Sequence, residues 1–249
     1  MLYGVFADVH SNLEALEVVL DFFVASRVEG LLCCGDIVGY GPNPNECIAR
    51  IRQVKNLHII CGNHDLAAAG RIDVKWFNPY ARAAVLWTRA ALSGGSRTFL
   101  ESLTARLDHK DFTLVHGTPR RPADEYLLSV AQFKNNMSRV GAWPLFCGHS
   151  HMPMCFCCTP EGKVEPLFIE DRQVITGAVA PYGIVPAAYN PGAVGQPRDY
   201  DKRAACALWD CAARTFRVFR LAYDLAATQA KIRAAGLPEH LALRLAYGR

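Results

Sequence analysis

The sequence predicts an α/β protein with two layers of sheet, and three observations carry that expectation. Five short apolar runs punctuate the first 147 residues, and segments with helical periodicity lie between several of them. After residue 151 the pattern changes to closely spaced short strands with turn residues between them.

The early runs, at residues 2–7, 31–34, 57–61, 112–115 and 145–147, are rich in Val, Leu, Ile, Phe and Cys and lack polar alternation, so each reads as a strand buried on both faces. The first leads into a helix at about 12–25, with an apolar side set by Leu13, Leu16, Leu20 and Phe23. The second leads into a helix at about 44–52, where Pro44 takes a tolerated first-turn position and Asn43 offers a cap. Residues 66–107 read as helical at 79–92 and 96–103 and are expected to overhang a cleft. Later strands are expected at 154–158, 164–169, 173–176, 187–190, 206–209 and 215–223, and these are assigned to the second sheet of a sandwich. The end of the chain, 224–249, holds two helical stretches split by Gly236-Leu237-Pro238 and is placed on the outside.

Composition fits one enzyme domain spanning 1–249. The chain has 249 residues, 51% hydrophobic and 20% charged, enough to bury a sizeable core. No apolar stretch is long enough for a membrane span, because Pro181, Pro186 and Pro191 interrupt the longest late candidate at 177–194. A balance of 27 basic against 23 acidic residues is too even to argue for a nucleic-acid surface. No basic leader precedes the first strand, so a cytoplasmic location is expected and disulfides are disfavoured among the ten cysteines. Cys33, Cys34, Cys61 and Cys147 fall inside the strand runs and read as small hydrophobes. Cys155, Cys157 and Cys158 cluster without a second pair at zinc-site spacing.

Each early run ends in a polar motif: Asp8-x-His10, Gly35-Asp36, Gly62-Asn63-His64-Asp65, His116-Gly117 and Gly148-His149-Ser150-His151. Ligands gather beyond the carboxyl ends of strands in open α/β sheets, so five motifs distant in sequence can converge on one site. A donor set of Asp, His and Asn without thiolate suits Mn, Fe, Zn, Ni or Co better than an all-oxygen Mg or Ca cage. Two divalent ions are expected, manganese first among them. A bridging carboxylate flanked by His and Asp or Asn suits two ions about 3.5–4 Å apart, a spacing that stabilises both the attacking and the leaving oxygen in phosphoryl displacement. Hydrolysis of a phosphate ester is therefore the leading reaction class.

In this order the five blocks resemble the calcineurin-like metallophosphoesterase superfamily. More narrowly, Asp8-Val9-His10-Ser11-Asn12-Leu13-Glu14-Ala15-Leu16, Gly35-Asp36-Ile37-Val38-Gly39-Tyr40-Gly41-Pro42 and Asn190-Pro191-Gly192-Ala193-Val194-Gly195-Gln196-Pro197-Arg198-Asp199 resemble its small prokaryotic phosphodiesterase-like branch. The resemblance implies two packed mixed β-sheets flanked by helices. It implies that Asp8, His10 and His151 hold one metal, that Asn63, His116 and His149 hold the other, and that Asp36 bridges them. It also implies in-line attack by a metal-bound hydroxide, with His64 protonating the leaving alkoxide, a task suited to an imidazole that titrates near neutral pH. His64 and Asp36 are thus the catalytic candidates, and Asn12, Asn63 and Arg198 are the substrate-binding candidates.

One departure narrows the substrate. Protein Ser/Thr phosphatases of the superfamily carry Gly-Asp-x-Val-Asp-Arg-Gly, whereas this chain has Gly35-Asp36-Ile37-Val38-Gly39-Tyr40-Gly41 and lacks the Arg that grips a phosphomonoester. Ser150 in place of the usual Thr, and Ala193 in place of a frequent Ser, remove no ligand. The expected substrate is a small phosphate ester, a diester before a monoester, with a nucleotide among the options. A phosphomonoesterase or Ser/Thr phosphatase-like activity is the alternative. A non-catalytic binding subunit of the same fold is third, because such members are expected to lose ligands and here all are present.

Several residues keep two readings. Arg198 either faces phosphate or pairs with Asp199 or Asp201. Arg120 and Arg121 face phosphate or solvent. Arg71, Lys75, Trp76, Phe77 and Tyr80 contact substrate or pack against the helices. His58, His109 and His240 lie outside every motif and are assigned no role.

Overall fold

In the computed structural model, which describes residues 1–159, 161–177, 179–180 and 183–249, the elements alternate as the early pattern predicts. The first half runs β1 (Leu2–Phe6), α1 (Leu13–Ala25), β2 (Gly30–Cys33), α2 (Pro44–Arg52), β3 (Leu57–Ile59), α3 (Asn63–Ala68), α4 (Pro79–Ala91), α5 (Gly94–Ser102), β4 (Arg106–Asp108) and β5 (Thr113–Val115). It continues through α6 (Val130–Asn136), β6 (Leu145–Phe146), β7 (Pro153–Cys158), β8 (Val164–Phe168), β9 (Val174–Thr176), β10 (Val179–Ala180), β11 (Gly183–Ile184) and β12 (Ala187–Pro191). The chain closes with β13 (Ala204–Asp210), β14 (Thr215–Leu221), α7 (Leu225–Ala234) and α8 (Glu239–Leu245).

These strands form two mixed six-stranded sheets, ordered β3-β2-β1-β13-β14-β9 and β4-β5-β6-β12-β7-β8, with β10 and β11 as a separate two-stranded pair. In the first sheet β1, β2 and β3 are parallel, and β13 returns antiparallel to β1. In the second, β5, β6 and β12 are parallel, and β7 and β4 are antiparallel to their neighbours. The assignment of the late strands alone to the second sheet is therefore corrected. Each sheet takes strands from both halves of the chain, because an apolar run records burial on two faces and not the identity of its neighbour. Pro181, one of the three prolines that break the late apolar stretch, lies outside the described residues.

Side-chain alternation along each strand explains the layers. Tyr3, Val5 and Ala7 point between the sheets, where they meet Phe146, Tyr189, Trp209 and Phe216. Tyr189 stacks on Phe216 at 4.7 Å, an aromatic contact of the kind that contributes about 0.5–1.5 kcal/mol beyond area burial. Phe6 points the other way, onto Leu16, Val19 and Phe23 of α1 and Ile48 and Ile51 of α2. Fully burying a side chain of this size contributes roughly 1.5–3 kcal/mol. On the far side, Phe133 of α6 covers Val115, Leu145 and Phe156. Two sheets lie between helical layers, as the family resemblance implies.

Boundaries differ from expectation where capping decides them. α5 starts at Gly94 instead of Ser96, since the Ser93 hydroxyl accepts from the Ser96 amide at 3.1 Å. Asn43, expected as a cap of α2, makes no side-chain cap bond. The short α3 and α6 were not foreseen, because six or seven residues are too few to show a periodicity. The terminal helices lie outside the sheets as expected, with Leu241, Ala242 and Leu245 of α8 packed on Tyr40 and α4. All ten cysteines are free thiols. Cys155, Cys157 and Cys158 belong to β7, with Cys155 between the sheets and Cys158 on the outer face.

Candidate metal centre

The five motifs converge. They follow β1, β2 and β3 of the first sheet and β5 and β6 of the second, so the site forms where the carboxyl ends of two sets of parallel strands meet. The chain reverses sharply there: Asp8, His10, Asp36, His149 and His151 all have positive φ, between 49° and 69°. L-residues rarely adopt that region, and such strain concentrates at functional sites where the surrounding fold enforces it. Close backbone approach demands glycine at two places. A Cβ on Gly62 would lie 2.1 Å from Asp36 Oδ1, and one on Gly39, whose φ is +99°, would lie 2.4 Å from His64 Nδ1.

Among the described residues, three groups of side chains place potential ligand atoms within 4.8 Å of one another: Asp8, His10 and His151; His10, Asp36 and His64; and Asp36, His116 and His149. Asp36 belongs to two of them. Its Oδ2 lies 3.7 Å from His10 Nε2 and 3.2 Å from His116 Nε2, while its Oδ1 accepts from the His64 amide at 2.9 Å. Asp8 Oδ1 lies 3.4 Å from His151 Nε2 and 3.8 Å from His10 Nε2, and the Asp8 carboxylate accepts from the His149 amide at 3.1 Å.

The imidazoles are set in one tautomer. His10 Nδ1 donates to the Val38 carbonyl at 3.1 Å, His116 Nδ1 to Cys34 at 2.7 Å and His151 Nδ1 to Gln196 at 2.6 Å. Each of these rings therefore turns its Nε2 into the site. His10 and His151 direct theirs at each other across 3.1 Å. Burial keeps both rings neutral by pushing their pKa values well below the usual histidine range. Two converging lone pairs with no proton between them repel unless a cation lies near. Asp36 Oδ2, Asn63 Oδ1 and His116 Nε2 are also buried and lack a hydrogen-bond partner among the described residues. Buried polar atoms are rarely left so, and an ion satisfies them. These donors fit divalent metals, with Asp36 placed to serve two.

Charge on the ligand set follows from the same packing. Burial raises Asp8 to about 7, with the neighbouring Asp36 carboxylate adding to the effect. Burial also opposes ionisation of Asp36, but the surrounding imidazoles of His116 and His64 win and hold it well below the usual carboxylate range. Burial disfavours the charged form of His116 too, yet the carboxylates of Asp36 and Asp8 raise it to about 9. His64 is lowered to about 4 by burial, with Asp36 pulling the other way and Arg198 and His116 adding to the lowering. His64 is therefore neutral at pH 7.

The remaining sequence candidates separate cleanly. Asn63, His64, Arg198, Asp36, His149 and His151 line a cleft of about 560 Å³. Arg198 donates to the Tyr40 hydroxyl at 3.3 Å and to Gln196 Oε1 at 3.2 Å. Its expected alternative partners are taken, since Asp199 pairs with Arg220 and Asp201 with Arg203. Asn12 does not line the cleft. Its Oδ1 caps α1 through the Ala15 amide at 3.1 Å and accepts from Thr228 Oγ1 at 3.1 Å, while Nδ2 donates to the Gly195 carbonyl at 3.0 Å. Both polar atoms of the Asn12 side chain, expected to contact substrate, are engaged within the protein. Arg120 and Arg121 form exposed ion pairs with Glu125 and Asp124. Arg71 bonds the Leu103 carbonyl at 2.9 Å, and Tyr80 stacks on His240 at 4.4 Å. Trp76 and Phe77 do line the cleft.

Sequence reasoning missed Asp65, Tyr40 and Tyr126. Buried Asp65 accepts from the Val38 amide at 3.0 Å and from the Gly62 amide at 3.0 Å, tying the loop after β2 to the start of α3. Its position three residues after Gly62 and opening a helix was the available signal, that of a capping box. Tyr40 packs on His64 at 4.4 Å and on His10 at 4.7 Å, at the place where the protein phosphatase motif has Arg. Tyr126 lies flat on His149 at 4.0 Å, and nothing in its sequence surroundings marked it.

Fold and site together define a metal-dependent phosphoesterase, and residues 1–214 match the calcineurin-like phosphoesterase superfamily domain. The chain belongs to that superfamily. It is 34% identical over 253 residues to an uncharacterized protein of Methanocaldococcus jannaschii, covering 100% of this chain and 98% of that protein. Among solved structures, it resembles a metallophosphoesterase from Sphaerobacter thermophilus at 40% identity and a TM-score of 0.86, covering 100% of this chain and 99% of the other. A hypothetical protein from Pyrococcus horikoshii OT3 shares the fold at 21% identity and a TM-score of 0.80, over 100% of this chain and 98% of its own. No helix among the described residues is long and apolar enough to cross a membrane.

Proposed function

We propose that the chain, working as one domain, hydrolyses a small phosphodiester at a dinuclear centre. In this reading Asp8, His10 and His151 hold one ion, Asn63, His116 and His149 hold the other, and Asp36 bridges them. Manganese is the proposed metal, with iron, zinc, nickel and cobalt as alternatives. When bound, such ions activate water and neutralise phosphoryl oxygens. The observation that carries the reading is the convergence of carbonyl-anchored imidazole Nε2 atoms on Asp8 and Asp36, beside the unpartnered buried oxygens Asp36 Oδ2 and Asn63 Oδ1.

The protein side chains do the rest. Arg198, without a carboxylate partner among the described residues, offers guanidinium donors to a phosphate oxygen and is itself held by Tyr40 and Gln196. It supplies from a distant loop a cation that Gly39-Tyr40 does not. One such cation matches the single negative charge of a diester. His64 lies beside Asp36 in the cleft, and its Nδ1 lacks a partner among the described residues. An entering phosphate raises its proton affinity, so that His64 takes up a proton from solvent as the substrate binds and then gives it to the leaving oxygen.

The test is the Mn-loaded protein on bis(p-nitrophenyl) phosphate and p-nitrophenyl phosphate side by side. Faster metal-dependent cleavage of the diester is expected. Preference for the monoester would instead establish a phosphatase.

A further inference from the structure

Above its floor of carboxylates and imidazoles, the cleft has walls built from both sheets. The segment between α3 and α4 lies downstream of β3 in the first sheet, and the segment between β5 and α6 lies downstream of β5 in the second. Each contributes an open aromatic side chain to the lining: Trp76 is 86% exposed and Tyr126 is 40% exposed. Trp76 is the most exposed large apolar side chain among the described residues, and it stands at the mouth of the cleft, where a flat ligand can cover it. The plane of Tyr126 is fixed by its stack on His149, with 13° between the rings. Phe77, next to Trp76, meets His64 edge-on at 5.0 Å.

Charge on these walls is already spent. Lys75 pairs with Asp73 at 3.2 Å and Arg121 with Asp124 at 2.5 Å. Both carboxylates line the cleft, where Arg198 is the lining cation without a carboxylate partner among the described residues. A chain of further phosphates running outward from the floor would meet Asp73 and Asp124 and find, beyond Arg198, no unpaired cation among the described lining residues. A flat, uncharged group would meet aromatic faces. The cleft of about 560 Å³ is also far larger than one phosphate and falls within the usual range for small-molecule sites, roughly 300–1,000 Å³.

We infer that the substrate is a diester with a single phosphate that carries a nucleoside, its base stacking on Trp76 and Tyr126 while the phosphate lies on the floor beside Arg198. The inference rests on the phosphodiesterase reading and adds to it the substrate class and two specificity-determining residues. Aromatic faces accept any base, because every base offers a π-face, and alanine substitution at such a platform typically costs about 5- to 150-fold in affinity.

The experiment titrates the Mn-loaded protein with adenosine 5′-monophosphate, ribose 5-phosphate and adenosine 5′-triphosphate, followed by tryptophan fluorescence and calorimetry. Adenosine 5′-monophosphate is expected to bind at least about tenfold tighter than ribose 5-phosphate and to quench the exposed indole. In Trp76→Ala and Tyr126→Ala the ratio of those two affinities should shrink severalfold, and Tyr126→Phe, which keeps the ring, should restore it. The triphosphate should bind no tighter than the monophosphate. Equal binding of the two monophosphates, or an undiminished ratio in both alanine variants, overturns base stacking even in an active diesterase. A clearly tighter triphosphate overturns the single-phosphate assignment. Absence of binding by all three, together with no turnover of bis(p-nitrophenyl) phosphate, removes the phosphodiesterase reading and this inference with it.

Discussion

The floor of the cleft and its walls are built on opposite principles. On the floor, Asp8, His10, Asp36, His116, His149 and His151 are almost fully buried, and three of the four imidazoles are locked by a backbone carbonyl. On the walls, Trp76 and Tyr126 are open to solvent, and the ion pairs around them lie at the surface. Rigid strand ends hold groups whose placement must be accurate to fractions of an ångström, while loops carry the groups that distinguish one ester from another. The contrast separates chemistry, shared across a superfamily, from selectivity, which belongs to this chain.

If the floor is one cooperative device, removing its central group should have the largest effect. Asp36→Asn keeps the shape but removes the charge that faces His10 and His116. Metal content is expected to fall from two ions per chain to one or fewer, and diester hydrolysis to the background of metal-stripped protein. Elemental analysis alongside the rate measurement checks both. Two retained ions with near-normal turnover would mean that Asp36 does not bridge.

The same contrast explains what was legible in the sequence. The floor could be read because each of its groups sits one to four residues beyond an apolar run, as Asp8 follows Ala7 and Asp36 follows Cys33 and Cys34. Sheet membership was misread because β13, more than 190 residues downstream, supplies the strand beside β1, and no local pattern encodes that pairing. Asp65 went unassigned because its work is done on backbone amides, which leave no trace in a ligand-type pattern. Trp76 and Tyr126 were invisible as a pair, since they lie 50 residues apart and face one cleft only after two sheets have packed together.

His64 stands between floor and wall, touching His10 and Tyr40 on one side and Phe77 on the other. If it transfers a proton and holds no ion, His64→Ala should retain both metals. Esters with poor leaving groups should slow by about 10²-fold or more, whereas p-nitrophenyl esters, whose leaving group needs little protonation, should slow much less. A comparison of alkyl and p-nitrophenyl diesters, with metal content measured on the same sample, distinguishes the roles. Loss of an ion from the variant would move His64 onto the floor, which its place in the group with His10 and Asp36 makes a concrete outcome.

Asn12 tests the boundary from below. It follows Asp8 and His10 in the motif and was grouped with the substrate contacts, yet its side chain is spent on the Ala15 amide, the Thr228 hydroxyl and the Gly195 carbonyl. Those bonds join the start of α1 to α7 and to the loop that carries Gln196, whose carbonyl orients His151. Asn12→Ala should therefore act on stability: a lost helix cap costs roughly 0.5–2 kcal/mol, and the unpartnered Gly195 carbonyl adds to that. A lower Tm with a Michaelis constant unchanged within about twofold is the expected result of a cost of that size borne by the fold and not by the cleft. A Michaelis constant that rises severalfold at unchanged Tm would put Asn12 back against the substrate, and the division between a structural floor and a selective wall would have to be redrawn through α1.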